Sequence, residues 1–261
     1  GELCKISIIV TLSKYVSDCM DKEGKFRGLG YIIKTTMYCA VPTVLVMMQP
    51  DFGTAFVFIC IMVFIYFIGR ISWGYILTAA GGLAVCMPLA YYFVLSDSQR
   101  ERIDVFINPE SDLQNSGYNV AQSKIAIGSG QLTGKGFFSE GTLAQLRFVP
   151  ERHTDFIFAG IVEGLGFVGG TIIICLFFAL IFRWIYIAMR TKDSFGTCLV
   201  VGVAGMFTAH VFENIGMTIG LMPVTGIPLP FISYGGSNLL TNLIGVGIVE
   251  NVWMRRQSKK R

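Results

Sequence analysis

Five polar or ionisable residues, 151–155, stand directly before a long apolar run that begins at Phe156. A carboxylate such as that of Asp155 can take a proton from a hydroxyl group, and cations such as Arg152 and His153 can stabilise an anionic leaving group. Because these side chains stand where an apolar segment begins, they predict chemistry on a substrate held at a lipid surface. The structural alternative is that Asp155 is only the N-cap of the helix that begins at Phe156.

Glu2 and Lys5 form a second cluster, at the start of the first apolar segment. Their spacing of three places both side chains on one face of a helix. A charge at membrane depth costs roughly 2.5–3.5 kcal/mol unless it is paired. The pair is therefore a candidate for function, and a purely structural ion pair is the alternative.

Two glycine-containing turns, 128–130 and 134–136, are candidates for an anion site. Their backbone N–H groups would suit an anion such as pyrophosphate, and Lys135 would add a cation. The alternatives are that these glycines only form turns and that the lysine is simply solvated.

Other polar residues next to apolar segments favour structural roles. Asp51 follows Pro50 and is favoured as the cap of the helix that comes next. His210, Glu213 and Asn214 form one polar stripe at helical spacing inside an apolar segment. Such a stripe must face protein or water, and interhelical hydrogen bonds are favoured over a proton relay.

Cysteine and histidine usage argues against a structural metal site. None of the seven cysteines lies in a predicted outer loop, so a disulfide framework is not expected. The chain has only two histidines, no Cys-x-x-Cys and no cluster with zinc spacing.

The elements that position these residues are predicted to be membrane helices. Hydrophobic residues make up 53% of the chain and charged residues only 15%, and mean hydropathy is +0.61, which excludes an ordinary soluble domain. The sequence predicts an all-α polytopic membrane protein with one transmembrane domain, 1–261. Since there is no initiator Met and the first span looks short, we expect a C-terminal part of a larger protein. The predicted spans lie at about 3–17, 31–48, 53–69, 73–95, 156–189, 196–221 and 238–254.

Lysine and arginine clusters follow the first, third, fifth and seventh spans, and this places the ends of those spans at the cytoplasm. Anionic lipid headgroups account for the attraction of these clusters, so a nucleic-acid partner is not needed. The long loop 96–155 and the loop 223–236 would then face outward. Within the first of these, apolar positions between 118 and 128 predict a helix lying flat on the outer leaflet.

Several long motifs resemble signatures of the SEDS family, the group of RodA, FtsW and SpoVE. They are YNVAQSKIAIGSG at 118–130, PERHTDFIF at 150–158, PLPFISYGGS at 228–237, MQPDFGT at 48–54 and NIGMTIGLMPVTGI at 214–227. They extend over nearly the whole chain in the family's order, and Arg152 and the run GIPLP are most similar to RodA. The resemblance implies a ten-span bundle whose first three spans are absent from this sequence.

The resemblance also implies an activity, a substrate and partners. Family members polymerise peptidoglycan glycan strands from lipid II, a disaccharide-pentapeptide on an undecaprenyl pyrophosphate, and work with a class B penicillin-binding protein. Asp155 matches the family's essential aspartate and would be the general base. Lys5 would hold the donor pyrophosphate, and Glu2 would orient that lysine or accept a metal ion. Further candidate substrate contacts are Arg152, His153, Lys135, Ser233 and Ser237.

Two departures from the family pattern are expected to weaken activity. Asn238 stands where the family usually has Ser, and Gly164 replaces the second acid of its usual Glu-Glu pair. No cofactor is certain. A divalent cation, Mg²⁺ or Mn²⁺, could bind the pyrophosphate, but no ligand set is evident.

Two other functions stay open at this point: a lipid II flippase, and a non-catalytic scaffold for a penicillin-binding protein. A carrier needs its polar residues near the midplane, whereas the candidates here cluster at the outer face, which favours the enzyme. The expected location is the bacterial plasma membrane, with the active face extracytoplasmic.

Overall fold

The computed structural model describes residues 1–23, 28–72, 116–136 and 153–258, and isolated positions between 74 and 106. All regular elements in these residues are α-helices, which confirms the predicted all-α class. Numbered in chain order, they are α1 (Glu2–Glu23), α2 (Leu29–Met47), α3 (Phe52–Ile68), α4 (Ser116–Ser129), α5 (Ile157–Arg190), α6 (Ser194–Ile219) and α7 (Gly236–Ser258).

Helices occupy six of the seven predicted spans, and the predicted span at 73–95 lies mostly outside the described residues. Within the described chain, α2, α5 and α6 are long and apolar enough to cross a membrane, and α3 is apolar but shorter. The prediction of a single transmembrane domain with an outer loop at 96–155 stays a prediction.

One compact unit comprises residues 1–96, 181–209 and 240–261. Its core is mainly apolar, with Ile9, Phe58 and Ile65 completely buried. A Cβ atom on Gly202 of α6 would lie 2.9 Å from Ile9 Cγ2 and 3.1 Å from Ile65 Cδ1. The missing side chain therefore lets α6 lie close against α1 and α3, as small residues do in membrane helix packing.

The second compact unit comprises residues 97–180 and 210–239. Here α4 packs on the start of α5, since Val120 and Ala126 share a buried cluster with Phe156 and Ala159. The α4 helix confirms the helix expected in the long loop. One of its faces is buried against protein, and its position on the outer leaflet stays a prediction.

The α5 helix is interrupted at Gly166, whose φ of 73° and ψ of −172° are not helical. The sequence predicted one uninterrupted span over 156–189. After Gly166, α5 extends for roughly 36 Å at about 1.5 Å per residue, which is enough to cross a hydrocarbon core of about 30 Å. The residues before Gly166 are therefore not needed to cross the core.

The segment 131–136 forms hydrogen bonds with the backbone groups that lose their helical partners at this break. The amides of Lys135 and Gly136 donate to the carbonyls of Glu163 and Gly164, at 3.0 and 2.9 Å. In the opposite sense, the carbonyls of Gln131 and Leu132 accept from the amides of Phe167 and Val168, at 2.8 and 3.2 Å. Every helix end leaves such groups without intrahelical partners, and here a loop supplies them.

This arrangement corrects the predicted anion site. The amide of Gly134 donates to Gly130 O at 2.8 Å, and the amides of Lys135 and Gly136 are bonded to α5. These N–H groups are occupied and cannot also form an anion cradle, so the prediction for the turn at 134–136 is wrong. The glycines serve the turn and its close approach to α5.

Candidate functional site

Asp155 lies in a turn, 153–156, that leads into α5. The helix begins at Ile157, so the residue in the N-cap position is Phe156, and Asp155 comes one residue earlier. The Asp155 side chain is half-buried, whereas Phe156 is fully buried under α4. The buried aromatic side chain anchors the turn and leaves the carboxylate at the edge of the packed region.

Ser233 and Tyr234 hold the first two carbonyls of this turn. The amide of Tyr234 donates to His153 O at 3.0 Å. The Ser233 hydroxyl donates to Thr154 O at 2.6 Å and accepts from the amide of Leu229 at 2.8 Å. Ser233 is only 7% exposed, so its hydroxyl is committed to two backbone groups. Its predicted contact with substrate stays a prediction, and its visible role is to join two loops.

Asn214 holds the third carbonyl. Its side-chain amide donates to Asp155 O at 2.8 Å and to Ile227 O at 2.7 Å, and the residue is completely buried. Three consecutive carbonyls, 153–155, are thus bonded from outside the turn. We call this arrangement the carbonyl clamp. It fixes the backbone that carries the Asp155 carboxylate without using the carboxylate for that purpose.

Gly226 gives the carboxylate room. A Cβ atom at this position would lie 3.4 Å from Asp155 Oδ2, so the carboxylate lies beside the backbone of the 220–235 loop. The φ of Gly226 is +74°, a conformation that favours glycine over residues with side chains.

A cavity of about 670 Å³ opens beside the turn. Its volume is in the range of small-molecule sites, and its walls are mainly apolar. Its lining residues are His153, Ile157, Phe231, Ile232, Ser233, Tyr234, Gly235, Gly236 and Leu239. The predicted site residues His153 and Ser233 therefore both line one cavity, whereas Asp155, in the same turn as His153, is not among the lining residues. Ser237 is exposed in the first turn of α7 and is not part of the lining.

Lys135 pairs with the carboxylate of Glu163, a contact that the sequence does not predict. Its Nζ lies 3.6 Å from Oε1 of Glu163, which is 1% exposed, and the Ser129 hydroxyl donates to the same oxygen at 3.4 Å. A buried carboxylate needs such partners. The sequence feature that could have indicated this pair is an acidic residue within an apolar span together with a lysine in the preceding loop. A contact between Lys135 and substrate stays a prediction.

Glu2 and Lys5 belong to the first compact unit. Lys5 Nζ lies 2.6 Å from Glu2 Oε1, and Lys5 is completely buried while Glu2 is 21% exposed. The expected ion pair is therefore present, and its role toward a substrate stays a prediction. Asp51, in the same unit, accepts from the amide of Thr54 at 3.0 Å, which confirms that it caps α3.

The remaining candidates are placed as follows. Arg152 lies outside the described residues. His210 Nδ1 lies 3.3 Å from Pro228 O, so His210 and Asn214 both bond loop carbonyls. Hydrogen bonding was the favoured role for that polar stripe, but these partners lie in loops and not on neighbouring helices.

The described residues do not fit a divalent cation. Among them, no group of three or more His, Cys, Asp or Glu side chains is arranged to hold a metal ion. Glu2 is already paired with Lys5, and one carboxylate beside an ammonium group is not the set of oxygen ligands that Mg²⁺ requires. No catalytic step is therefore assigned to a metal ion.

The comparisons with known proteins agree with the motifs. Residues 1–258 match the FtsW/RodA/SpoVE family model, described as a cell cycle protein. The chain is 40% identical to peptidoglycan glycosyltransferase MrdB of Escherichia coli K12, covering 98% of this chain and 68% of that protein. It is 38% identical to stage V sporulation protein E of Bacillus subtilis 168, covering 97% and 67%.

Two solved structures have similar folds. One, described as structural coordination of polymerization and crosslinking by a peptidoglycan synthase complex, has a TM-score of 0.77 and 28% identity, covering 98% of this chain and 69% of that one. The rod shape determining protein RodA of Thermus thermophilus has a TM-score of 0.65 and 25% identity, covering 98% and 65%. The chain therefore belongs to the FtsW/RodA/SpoVE family.

Proposed function

We propose that the protein is a peptidoglycan glycosyltransferase that polymerises lipid II into glycan strands, with Asp155 as its general base. The observation that carries the assignment of the base is the carbonyl clamp. Asp155 lies in a turn whose backbone carbonyls are bonded by Asn214 and Ser233, and this turn borders a cavity of about 670 Å³. Relatives that bear the name peptidoglycan glycosyltransferase support the reaction type.

The reaction follows from these groups. The 4-hydroxyl of the acceptor sugar attacks the anomeric carbon of the donor, and its proton passes to the Asp155 carboxylate. The bond from that carbon to the pyrophosphate oxygen breaks, and the lipid pyrophosphate leaves with the electron pair. Attack opposite the leaving group inverts the anomeric carbon. A base held within hydrogen-bond reach of the hydroxyl contributes typically 10²–10⁴-fold to the rate of such a step.

The cavity beside the turn suits a substrate that is part sugar and part lipid. Ile157, Phe231 and Leu239 provide apolar walls, while His153 provides a polar group. Cations must stabilise the departing pyrophosphate, and we assign this role to Arg152 and Lys5, with Glu2 orienting the lysine. Ser237 and Lys135 are proposed as additional substrate contacts.

We further propose that the protein works at the outer face of the bacterial plasma membrane with a class B penicillin-binding protein. The basic clusters after alternate spans support this orientation. The similar structure described as coordinating polymerization and crosslinking supports the pairing with a cross-linking enzyme.

The test is strand formation from purified lipid II in detergent by the protein in its full natural length, together with its transpeptidase partner. Asp155→Asn should reduce polymer by about 10²-fold or more. The matched control is Asp193→Asn. Asp193 accepts from the amide of Gly196 at 2.9 Å, and an asparagine keeps that capping bond, so polymer should be unchanged.

Equal polymer from wild type and Asp155→Asn, with both proteins folded and bound to the partner, would contradict the assignment of the base. The alternatives predict other outcomes. A flippase would move lipid II across vesicle membranes and make no polymer in detergent, where there are no leaflets. A scaffold would make no polymer itself and would raise the activity of its partner whether or not Asp155 is present.

A further inference from the structure

The last two turns of α5 carry two arginines that are held by aromatic rings. The Arg183 guanidinium carbon lies 4.8 Å from the centre of the Trp253 ring and 5.6 Å from that of Tyr186. The Arg190 guanidinium carbon lies 5.3 Å from the centre of the Tyr186 ring. Arg183 therefore contacts both rings and Arg190 contacts the Tyr186 ring, and we call this set of four residues the arginine ladder. All four belong to one compact unit.

The ladder leaves the hydrogen-bonding edges of the arginines available. A ring contacts the flat face of a guanidinium, whereas its N–H groups point outward in the plane. Both arginines are exposed. Within the described part of the chain, neither forms an ion pair with a carboxylate or donates a hydrogen bond. Each guanidinium group of this kind matches the oxygens of a phosphate group.

The surroundings of the ladder are those of a membrane interface. Phe182 and Met189 are 66% and 70% exposed and lie on the same side of α5 as Tyr186 and the two arginines, within about a third of the helix circumference. The opposite side is buried in the protein, with Trp184 and Ile187 each 2% exposed. Basic residues at the end of an apolar span lie at headgroup depth, with apolar neighbours at the level of the acyl chains.

We propose that the arginine ladder is a binding site for the phosphate of an anionic phospholipid. One guanidinium group of the ladder binds the phosphate oxygens, the other adds to the attraction of the anionic headgroup, and an acyl chain lies along Phe182. Trp253 and Tyr186 hold the guanidinium groups in place, so less side-chain freedom is lost on binding than with a flexible lysine. This site shares no residue with the cavity beside the turn 153–156 and does not depend on the proposed reaction.

The test is the amount of phosphatidylglycerol retained by the purified full-length protein in native mass spectrometry, against phosphatidylcholine as a neutral lipid. The double variant Arg183→Gln, Arg190→Gln should retain about tenfold less phosphatidylglycerol. Trp253→Leu keeps both charges but removes one ring, and it should also lower retention several-fold. The control Lys192→Gln removes an exposed cation from the same end of the helix without touching the ladder, and it should change retention less than about twofold.

Three results would overturn the proposal. Wild-type retention in the double variant, with an unchanged melting temperature, would show that the ladder binds no lipid. An equal loss in Lys192→Gln would show a general effect of surface charge. Displacement of the lipid by millimolar inorganic phosphate, with equal binding of inorganic phosphate alone, would show an anion site that does not recognise the lipid. If the double variant does not fold, Trp253→Leu and the milder Arg183→Lys supply the comparison.

Discussion

The two ends of the first segment of α5 are held in different ways. At its start, the turn 153–156 is held by the carbonyl clamp, in which two of the three donors are the side chains of Asn214 and Ser233. At the Gly166 break, the four hydrogen bonds exchanged with 131–136 all join backbone groups, and we call them the backbone clamp. A bond donated by a side chain can be removed by one substitution, whereas a bond between backbone groups is sensitive only where a new side chain would enter the contact. The proposed base therefore depends on particular side chains, and the break depends on glycines.

The largest expected effect on stability is at the backbone clamp. Gly134 has a φ of +81°, and a Cβ atom there would collide with the carbonyl of Gly164. Gly134→Ala should therefore lower stability by about 3 kcal/mol or more, because strain and overpacking add. Thermal unfolding in detergent measures this. Gly128→Ala, in α4, is the control, since nothing lies within 4 Å of its Cβ position.

The control should behave in the opposite way, because alanine is more stable than glycine in a helix, here by at most roughly 0.5–1 kcal/mol since Gly128 is the second-last residue of α4. If both variants melt at the wild-type temperature, the contact between 131–136 and α5 is not as close as described.

The next effect is at Asn214. Asn214→Leu removes both donors and leaves Asp155 O and Ile227 O without these bonds. Each buried polar group left unpaired costs about 1–3 kcal/mol. We expect a loss of about 2–3 kcal/mol in stability, and about a tenfold fall in the rate of lipid II polymerisation with little change in KM, because the base is displaced.

The matched variant for this experiment is Thr208→Val on the same helix. The Thr208 hydroxyl bonds only Ala204 O of its own helix, so both rate and stability should stay near wild type. An Asn214→Leu protein with a lowered melting temperature but a full polymerisation rate would show that the clamp supports the fold and does not position Asp155.

The contrast between the two clamps also explains what the sequence could predict. The helices α2, α3, α5, α6 and α7 follow from apolar runs, because span length is a local property of the sequence. Asp155 was identified because charge next to an apolar run is costly and because its motif is long. The partners of Asn214 were not predicted, since Asp155 is 59 positions away in the chain and the bond depends on how loops fold over α6.

The break at Gly166 was missed for a related reason. Residues on both sides of it are apolar and helical, so periodicity gives no sign of an interruption. The glycines at 134 and 136 leave two alternatives open in the sequence, an anion site and a turn, and the turn is what the structure shows. Sequence patterns show that a backbone group needs a partner, and they do not show whether protein or ligand provides it.

A smaller effect separates the two serines of the 228–237 motif. Ser233→Ala removes the bond to Thr154 O and leaves the amide of Leu229 unpaired, so it should cost about 1–2 kcal/mol. Ser237 is exposed, and Ser237→Ala should change stability by less than about 0.5 kcal/mol. If Ser237 contacts substrate, KM for lipid II rises in Ser237→Ala while the melting temperature does not move. Equal melting temperatures for both alanine variants would show that Ser233 does not stabilise the carbonyl clamp.

The smallest expected effect is at the ion pair beside the break. Lys135 is 39% exposed, so solvent screens its pairing with Glu163, and we expect a coupling energy of only about 0.5–1 kcal/mol between Lys135→Met and Glu163→Gln. A double-mutant cycle with Glu163→Gln measures the coupling between the two side chains. Significant coupling with an unchanged polymerisation rate would make Lys135 part of the structure that holds the break. A fall in rate without coupling would instead support its proposed contact with the pyrophosphate, and the backbone clamp would then need no side chain at all.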